Sequence, residues 1–327
     1  MKIDSHAHYV DREYIKELIK LMKLETVKTP QGQFLLRRGG TTVAWYKEEH
    51  FDPAARIEKM DAASIRARVL SLTSPSIYEW PFAEQPEIVR HANDALVAYC
   101  RAHPGRFFAL AVLPWSDADA AIKELDRAID SLGAVGIAIG SHIQGMPLNH
   151  PDFEPVWAAI DRRRIPVVQH PMEPLGAAHL NEFELPIRVG FIYETTTAVT
   201  RMIYAGVFER YPNFPFVLAH TGGAVLSMLE RLDVGYRLFP DCRAHINRLP
   251  SEYAKKLFYD TCSFYGPTLR LALEVVGPEQ LLWGTDDPLV SASSEHVEQL
   301  KLPTQQQQDI LGGNAERVFG LTQSIPA

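Results

Sequence analysis

The chain has 327 residues, of which 46% are hydrophobic and 22% are charged. This is the composition of an ordinary globular protein, and it excludes a disordered or low-complexity chain. The formal net charge is −7 at pH 7 and no stretch is rich in lysine or arginine, so neither nucleic acid nor an anionic membrane surface is expected as a partner.

Apolar, β-branched runs alternate with amphipathic stretches along the chain. Helical spacing predicts helices that include Pro86–His103, Ala118–Leu132 and Thr196–Arg210. The apolar runs suit strands that are buried on both faces, and they predict eight strands, at Lys2–His6, Arg66–Leu72, Phe107–Val112, Ala134–Ile139, Ile165–His170, Pro215–His220, Lys256–Thr261 and Gln280–Thr285. Eight such strand and helix units predict an α/β fold, a closed (β/α)8 TIM barrel, with residues 1–327 forming a single domain.

Two segments fall outside this alternation. Residues Asp11–Phe51 follow the first strand and are too long for an ordinary barrel connection, so they predict an inserted loop or small hairpin at the barrel mouth. After the eighth strand, a last helix is predicted over Thr304–Phe319. The final residues, TQSIPA, are expected to be frayed.

The sequence also indicates a location in the cell. The three cysteines form no CxxC pair and leave an odd count, which is typical of a reducing compartment. The first residues, MKIDSHAH, match neither a signal peptide nor a transit peptide. No apolar run reaches the roughly 18 residues that a membrane span needs. We therefore expect a cytoplasmic protein without a membrane segment.

Polar residues end several of the predicted apolar strands. His6 and His8 are two residues apart and share one face of the first strand. His170 ends the fifth strand, His220 ends the sixth, and Asp286 follows the eighth. Because the C-terminal ends of barrel strands meet at one rim, we expect these side chains to converge. Imidazole and carboxylate groups are ligands for zinc, manganese, iron or nickel, so this pattern predicts a metal site.

Other interpretations of these residues stay open. The histidines could be partly buried structural residues, and Asp286 could cap a helix, a role that fits Asp287 better. His220 could be a catalytic acid/base, a further metal ligand or a structural residue. Gly222 and Gly223 could open a helix N-terminus that binds an anion, or they could serve a turn.

Several longer motifs include these residues, lie between them or follow them. They are KIDSHAH, HFDPAARIEKMD, PGRFFALAVLP, GIAIGSHI, VVQHP, LAHTGG, LLWGTDDP and GNAERVFGL. With these motifs the chain resembles the amidohydrolase superfamily over nearly its full length. The similarity is to its amidohydrolase-2 branch, which includes aminocarboxymuconate-semialdehyde and hydroxybenzoate decarboxylases. The resemblance implies one divalent metal ion, zinc first and manganese as the alternative. It implies His6, His8, His170 and Asp286 as ligands, with His220 beside the metal as the catalytic acid/base.

The expected reaction is non-oxidative decarboxylation of a small aromatic or unsaturated carboxylic acid, in which Asp286 could also relay a proton. Lys47 stands where aminocarboxymuconate decarboxylases carry an arginine, and Phe239 stands where they carry a second one. We therefore predict Lys47, Arg188 and Arg237 as candidates to bind the substrate carboxylate. The resemblance also implies a homodimer, with Tyr236–Leu249 as a plausible contact. A metal-dependent hydrolase or hydratase on the same barrel is the main alternative, and a non-catalytic scaffold is another.

Overall fold

The computed structural model describes residues 1–176, 179–290 and 293–321, so the expected frayed tail TQSIPA lies outside the described residues. The described strands form one large parallel sheet and two small antiparallel sheets. In chain order the strands are β1 (Lys2–His8), β2 (Glu25–Lys28), β3 (Phe34–Arg38), β4 (Thr41–Tyr46), β5 (Ile65–Ser71), β6 (Phe107–Ala111), β7 (Gly136–Ile139), β8 (His142–Ile143), β9 (Met146–Pro147), β10 (Val167–Gln169), β11 (Phe216–Leu218), β12 (Phe258–Asp260) and β13 (Leu281–Leu282).

The parallel sheet is a closed barrel. Its strands follow the order β1-β5-β6-β7-β10-β11-β12-β13, and each of the eight predicted runs overlaps one of them. The last strand returns to the first, because the N–H of Ser5 donates to the carbonyl of Trp283 at 2.9 Å and Ala7 pairs with Asp287 in a parallel bridge. The predicted (β/α)8 barrel is therefore confirmed.

Helices surround the barrel and connect its strands. They are α1 (Arg12–Met22), α2 (Pro53–Ala62), α3 (Gln85–Ala102), α4 (Ala118–Asp126), α5 (Glu154–Arg163), α6 (Phe191–Tyr204), α7 (Val207–Arg210), α8 (Leu229–Leu238), α9 (Pro250–Ala254), α10 (Gly266–Val276), α11 (Glu295–Glu298), α12 (Thr304–Gln308) and α13 (Asn314–Phe319). None of the described helices has the length and apolar character needed to span a membrane.

Two predicted helices are each divided in two. The predicted helix Thr196–Arg210 becomes α6 and α7, because Gly206 adopts a left-handed φ of +70° between them. A Cβ atom at this glycine would come within 2.2 Å of the carbonyl oxygen of His245. The predicted helix Thr304–Phe319 becomes α12 and α13, which are joined by a π-helical turn at Asp309–Gly313.

The inserted segment has more secondary structure than the predicted loop or hairpin. It contains the amphipathic helix α1 and an antiparallel sheet of three strands, β2, β3 and β4. These elements bury a second apolar cluster beside the barrel core, formed by Val10, Ile15, Leu18, Leu24, Leu36, Ala44, Tyr46 and Trp80. Strand β4 is anchored to the loop before α6, since the Thr41 hydroxyl donates to the Asn181 carbonyl at 2.9 Å. The insertion therefore forms one wall of the barrel mouth.

Candidate functional site

The histidines and the aspartate predicted at the strand ends lie together. His6, His170, His220 and Asp286 present potential ligand atoms that all lie within 4.8 Å of one another. His8 joins this group, because its Nε2 atom is 3.2 Å from that of His6 and 3.0 Å from Oδ1 of Asp286. Because all five side chains come from the C-terminal ends of barrel strands, the fold alone brings them to one rim. We call these five residues the rim cluster.

The spacing within the rim cluster fits a divalent metal ion. In a tetrahedral site with metal–nitrogen bonds of about 2.0–2.1 Å, two ligand nitrogens are about 3.3 Å apart. The 3.2 Å between the Nε2 atoms of His6 and His8 matches that value. Oδ1 of Asp286 lies 3.5 Å from Nε2 of His6, again within the range of two ligands of one ion. The donor set, imidazole nitrogen and carboxylate oxygen, is the set that transition metals bind.

The four histidines differ in how their second ring nitrogen is held. Nδ1 has a partner in three of them: Asp260 at 2.5 Å for His6, the Ser71 hydroxyl at 3.1 Å for His8, and the Pro171 carbonyl at 2.9 Å for His170. Such partners fix the ring of a metal-binding histidine and aim its other nitrogen. Nδ1 of His220 is buried and has no hydrogen-bond partner among the described residues. His220 is thus the histidine of the rim cluster whose ring is least constrained.

Protonation in the rim cluster follows from burial and neighbouring charges. Burial lowers the pKa of His8 and lowers that of His170 well below its usual value, so both offer a lone pair at neutral pH. Burial raises the pKa of Asp286, but the adjacent imidazoles of His220, His8 and His6 outweigh it and hold the pKa well below its usual value. Burial also opposes the charge on His6, yet the hydrogen bond and charge of Asp260 raise its pKa to about 9. The ionised Asp286 and the neutral imidazoles of His8 and His170 are the forms that bind metals, whereas His6 must release a proton when it binds one.

Asp260 is an organising residue that the sequence analysis missed. Besides contacting His6, its carboxylate accepts the backbone N–H groups of His220 at 3.0 Å, Thr221 at 2.7 Å and Cys262 at 2.9 Å. It ends strand β12 with an apolar run before it, the same signal that pointed to His170 and Asp286. A single aspartate after one strand did not stand out in the sequence, however.

The turn after β11 has a left-handed backbone. His220 and Thr221 have φ values of 54° and 55°, and Gly222 and Gly223 follow with 74° and 64°. A Cβ at Gly222 would meet the ring of Tyr259 at 2.6 Å. These glycines form a turn, and the helical segment that continues into α8 begins two residues later with a 3-10 turn at Val225–Met228. A left-handed non-glycine residue costs about 1–3 kcal/mol and is often found at active sites.

A buried ion-pair network lies beneath the rim cluster. Arg68 is completely buried and contacts two carboxylates, Oδ2 of Asp4 at 3.1 Å through Nε and Oδ2 of Asp287 at 2.8 Å through Nη1. Arg56 also reaches Asp287, at 2.5 Å. Asp287 thus pairs with arginines, and in the described part of the chain its carboxylate caps no helix, contrary to the sequence interpretation. Since Asp4 and Asp287 stand within two residues of His6 and Asp286, the network joins the segments that carry these site residues.

A cavity opens beside the rim cluster, between the barrel and the insertion. Phe191 lines it and also stacks on His220, with ring centroids 6.4 Å apart. The same ring lies 6.0 Å from that of His170. The cavity is lined by Arg38, Thr41, Thr42, Val43, Ser74, Pro75, Glu79, Glu173, Pro174, Asn181, Pro186, Ile187 and Phe191. Most of these side chains are apolar or small, and a few are polar, which is the usual lining of a pocket for a small molecule.

The predicted substrate-binding cations do not line this cavity. Lys47 is half-buried beside His50, with its backbone N–H 3.2 Å from Nδ1 of that residue. Arg188 is exposed, and Arg237 is exposed and paired with Glu230. The arginine among the lining residues is Arg38, which the sequence analysis did not select. Arg38 lies in the insertion, so its approach to the barrel mouth depends on how that segment folds.

The fold and the rim cluster together define the class of protein. It is a (β/α)8 barrel that carries histidine and aspartate side chains arranged as in a metal-binding site. Residues 3–321 match the family model described as Amidohydrolase, and the chain belongs to this family. It is 30% identical over 283 residues to 2-amino-3-carboxymuconate-6-semialdehyde decarboxylase of Dictyostelium discoideum, covering 83% of this chain and 77% of that protein. It is also 30% identical over 284 residues to gamma-resorcylate decarboxylase of a Rhizobium species, covering 81% and 86% respectively.

The fold has close counterparts among solved structures. One is a dihydroxybenzoic acid decarboxylase from a Polaromonas species, whose crystal structure contains manganese and the inhibitor 2-nitroresorcinol. It superposes with a TM-score of 0.84 at 23% identity, covering 98% of this chain and 97% of the other. This likeness establishes the shared barrel architecture.

Proposed function

We propose that this chain is a metal-dependent, non-oxidative decarboxylase of a small aromatic or unsaturated carboxylic acid, of the hydroxybenzoate or carboxymuconate type. The observation that carries the proposal is the rim cluster, which fits a metal ion and contacts Phe191 in the lining of the adjacent cavity. The aminocarboxymuconate and resorcylate decarboxylases that are 30% identical to it over 283 and 284 residues support the reaction class.

The ligands proposed for one divalent ion are His6, His8, His170 and Asp286. The supported Nδ1 atoms of the three histidines favour this set, because each ring is held with Nε2 free to bind. Zinc suits a site of nitrogen and carboxylate ligands, and manganese, which occupies the Polaromonas structure, is the alternative.

A divalent cation held by these ligands would supply Lewis-acid stabilisation of the negative charge that develops on substrate oxygens. In the proposed reaction the bond between the carboxylate and the adjacent carbon breaks, and its electron pair stays on that carbon. His220 then transfers a proton to the carbon, as a positioned acid. Oδ2 of Asp286 lies 3.7 Å from Nε2 of His220, so Asp286 can orient this ring and pass on a proton. Phe191 covers the two imidazoles of His170 and His220 and limits the access of water.

A substrate panel tests the proposal. The protein loaded with zinc or with manganese is incubated with hydroxybenzoates and unsaturated diacids, and the CO2 released is measured. Release from at least one acid, lost after the metal is removed by a chelator and restored by its return, is expected. Failure to release CO2 from the whole panel would contradict the decarboxylase assignment.

The same barrel can also carry a hydrolase or hydratase, as the family description Amidohydrolase indicates. In that case His220 would act as a base for attack by water on a carbonyl or double bond. Turnover of a lactone or amide panel without any CO2 release would favour this second function. Metal-free protein without turnover on either panel would favour a scaffold.

Two further proposals concern assembly and location. We infer a homodimer in which Tyr236–Leu249 contacts a second copy, because Leu238 and Phe239 leave 66% and 59% of their surface exposed there. A fully active monomer in sedimentation would contradict it. The free cysteines Cys100, Cys242 and Cys262 support a reducing compartment such as the cytoplasm.

A further inference from the structure

The cavity beside the rim cluster contains a carboxyl group that has no evident use within the protein. Glu79 ends a 3-10 turn at Ile77–Glu79, which Ser76 caps through its hydroxyl. Ile77 and Tyr78 in this turn are buried, as is Trp80 after it, so the backbone at Glu79 is firmly held. Glu79 itself is half-buried and lines the cavity.

The neighbouring acidic residues are already occupied by the protein. Glu173 pairs with Arg38, and Glu184 accepts the backbone N–H and the hydroxyl of Thr42 at 2.9 and 3.0 Å. Glu194 accepts the Ser141 hydroxyl at 3.0 Å. Among the described residues, the carboxylate of Glu79 takes part in no hydrogen bond or ion pair. By contrast, Glu173, Glu184 and Glu194 each have such a partner.

A half-buried carboxyl group without a donor is costly to maintain, since it has lost part of its water and gained nothing in exchange. Burial accordingly raises the pKa of Glu79, while the charges of Arg38 and His142 oppose that rise. The other residues of the lining are mostly apolar or small, and include Val43, Pro75 and Ile187. A ligand that enters the cavity would therefore find Glu79 as an available hydrogen-bond acceptor.

We propose that Glu79 determines substrate specificity by accepting a hydrogen bond from an amino or hydroxyl substituent of the acid bound in the cavity. This inference rests on the proposed function, and it narrows the substrate class. The preferred acid carries a hydrogen-bond donor in addition to the carboxylate that is lost. An acid with a methyl group or hydrogen at that position leaves the carboxyl of Glu79 without a partner and binds less tightly.

Equilibrium binding tests this role independently of turnover. Benzoates with a hydroxyl, amino, methyl or hydrogen substituent at the meta or para position are titrated into the metal-loaded protein by calorimetry. We expect the best donor-bearing probe to bind about tenfold more tightly than its methyl counterpart, the usual scale for a hydrogen bond to a charged group. Glu79→Met should reduce this preference to about twofold or less, and the isosteric Glu79→Gln should give an intermediate value. Glu84→Gln, which removes an exposed acidic residue five positions away, is the matched control and should retain the full preference.

The inference is overturned if the wild-type protein shows no preference for donor-bearing probes, or if the preference persists in Glu79→Met. Its failure can be distinguished from failure of the proposed function. CO2 release without a Glu79-dependent preference would remove only the role of Glu79. A Glu79-dependent preference in a protein that releases no CO2 would leave the specificity role standing and remove only the decarboxylase assignment.

Discussion

Oδ2 of Asp260 lies 2.5 Å from Nδ1 of His6, and both side chains are almost completely buried. This contact joins the end of β12 to the end of β1 across the barrel mouth. It fixes the ring of His6 so that Nε2 faces the rim cluster. The same carboxylate holds the backbone of His220 and Thr221, so Asp260 positions a proposed metal ligand and the proposed acid/base together.

Asp260→Asn should therefore weaken metal binding without removing any ligand. Loss of the carboxylate charge leaves the His6 ring less firmly oriented and less basic, and such changes typically cost about 10- to 100-fold in metal affinity. Metal titration monitored by calorimetry measures the effect. Asp119→Asn, which alters an exposed aspartate in α4, should leave the affinity unchanged. Equal affinity in Asp260→Asn and in the wild type would contradict the positioning role.

His170→Ala should abolish both metal binding and turnover, because an incomplete ligand set holds the ion weakly. Elemental analysis after dialysis should give about one metal ion per chain for the wild type and almost none for the variant. His91→Ala, at an exposed position in α3, is the matched histidine control. Two ions per chain in the active wild type would rule out the mononuclear site.

His220→Ala should retain its metal and lose turnover by about 100-fold or more, the scale expected for a positioned acid/base. His220 differs from the three proposed histidine ligands because its Nδ1 has no hydrogen-bond partner in the described part of the chain. Metal content and kcat are measured on the same preparation, again with His91→Ala as the exposed control. Loss of the metal would make His220 a ligand, whereas full activity would exclude it from catalysis.

Arg68→Met should destabilise the fold by about 3–5 kcal/mol, because it leaves the carboxylates of Asp4 and Asp287 buried without this cation. Urea unfolding followed by circular dichroism measures the free energy of unfolding. Arg66→Met, at a half-exposed position two residues earlier, is expected to change it by less than about 0.5 kcal/mol. A similar small effect of both substitutions would show that the buried network contributes little to stability.

Arg38→Met and Lys47→Ala should differ in their effect on the KM of a carboxylic acid substrate. Arg38 lines the cavity and Lys47 does not, so we expect KM to rise about tenfold in the first variant and less than twofold in the second. Metal content should remain that of the wild type in both. A larger rise of KM in Lys47→Ala than in Arg38→Met would instead support Lys47 as the residue that binds the substrate carboxylate.

Much of this molecule can be predicted from the order of residue types along the chain. The alternation of apolar strands and amphipathic helices specifies the barrel, because strands buried on both faces need helices on their outer side. Once the barrel is known, His6, His8, His170, His220 and Asp286 must meet, since the C-terminal ends of parallel strands converge at one rim. These predictions need only the local pattern of apolar and polar residues and the parallel arrangement of the barrel strands.

Only the tertiary structure shows which residues form the wall of the cavity. Arg38 and Glu79 occur in segments with no distinctive spacing, and they meet at the mouth because the three-stranded sheet of the insertion packs over the barrel. Asp260 is likewise one aspartate among many until its distances to His6 and His220 are known. Such contacts join residues far apart in sequence through irregular loops, and no periodic pattern encodes their geometry. The metal-type site therefore follows from the strand ends, whereas the features that select a substrate follow from how the loops and the insertion close over them.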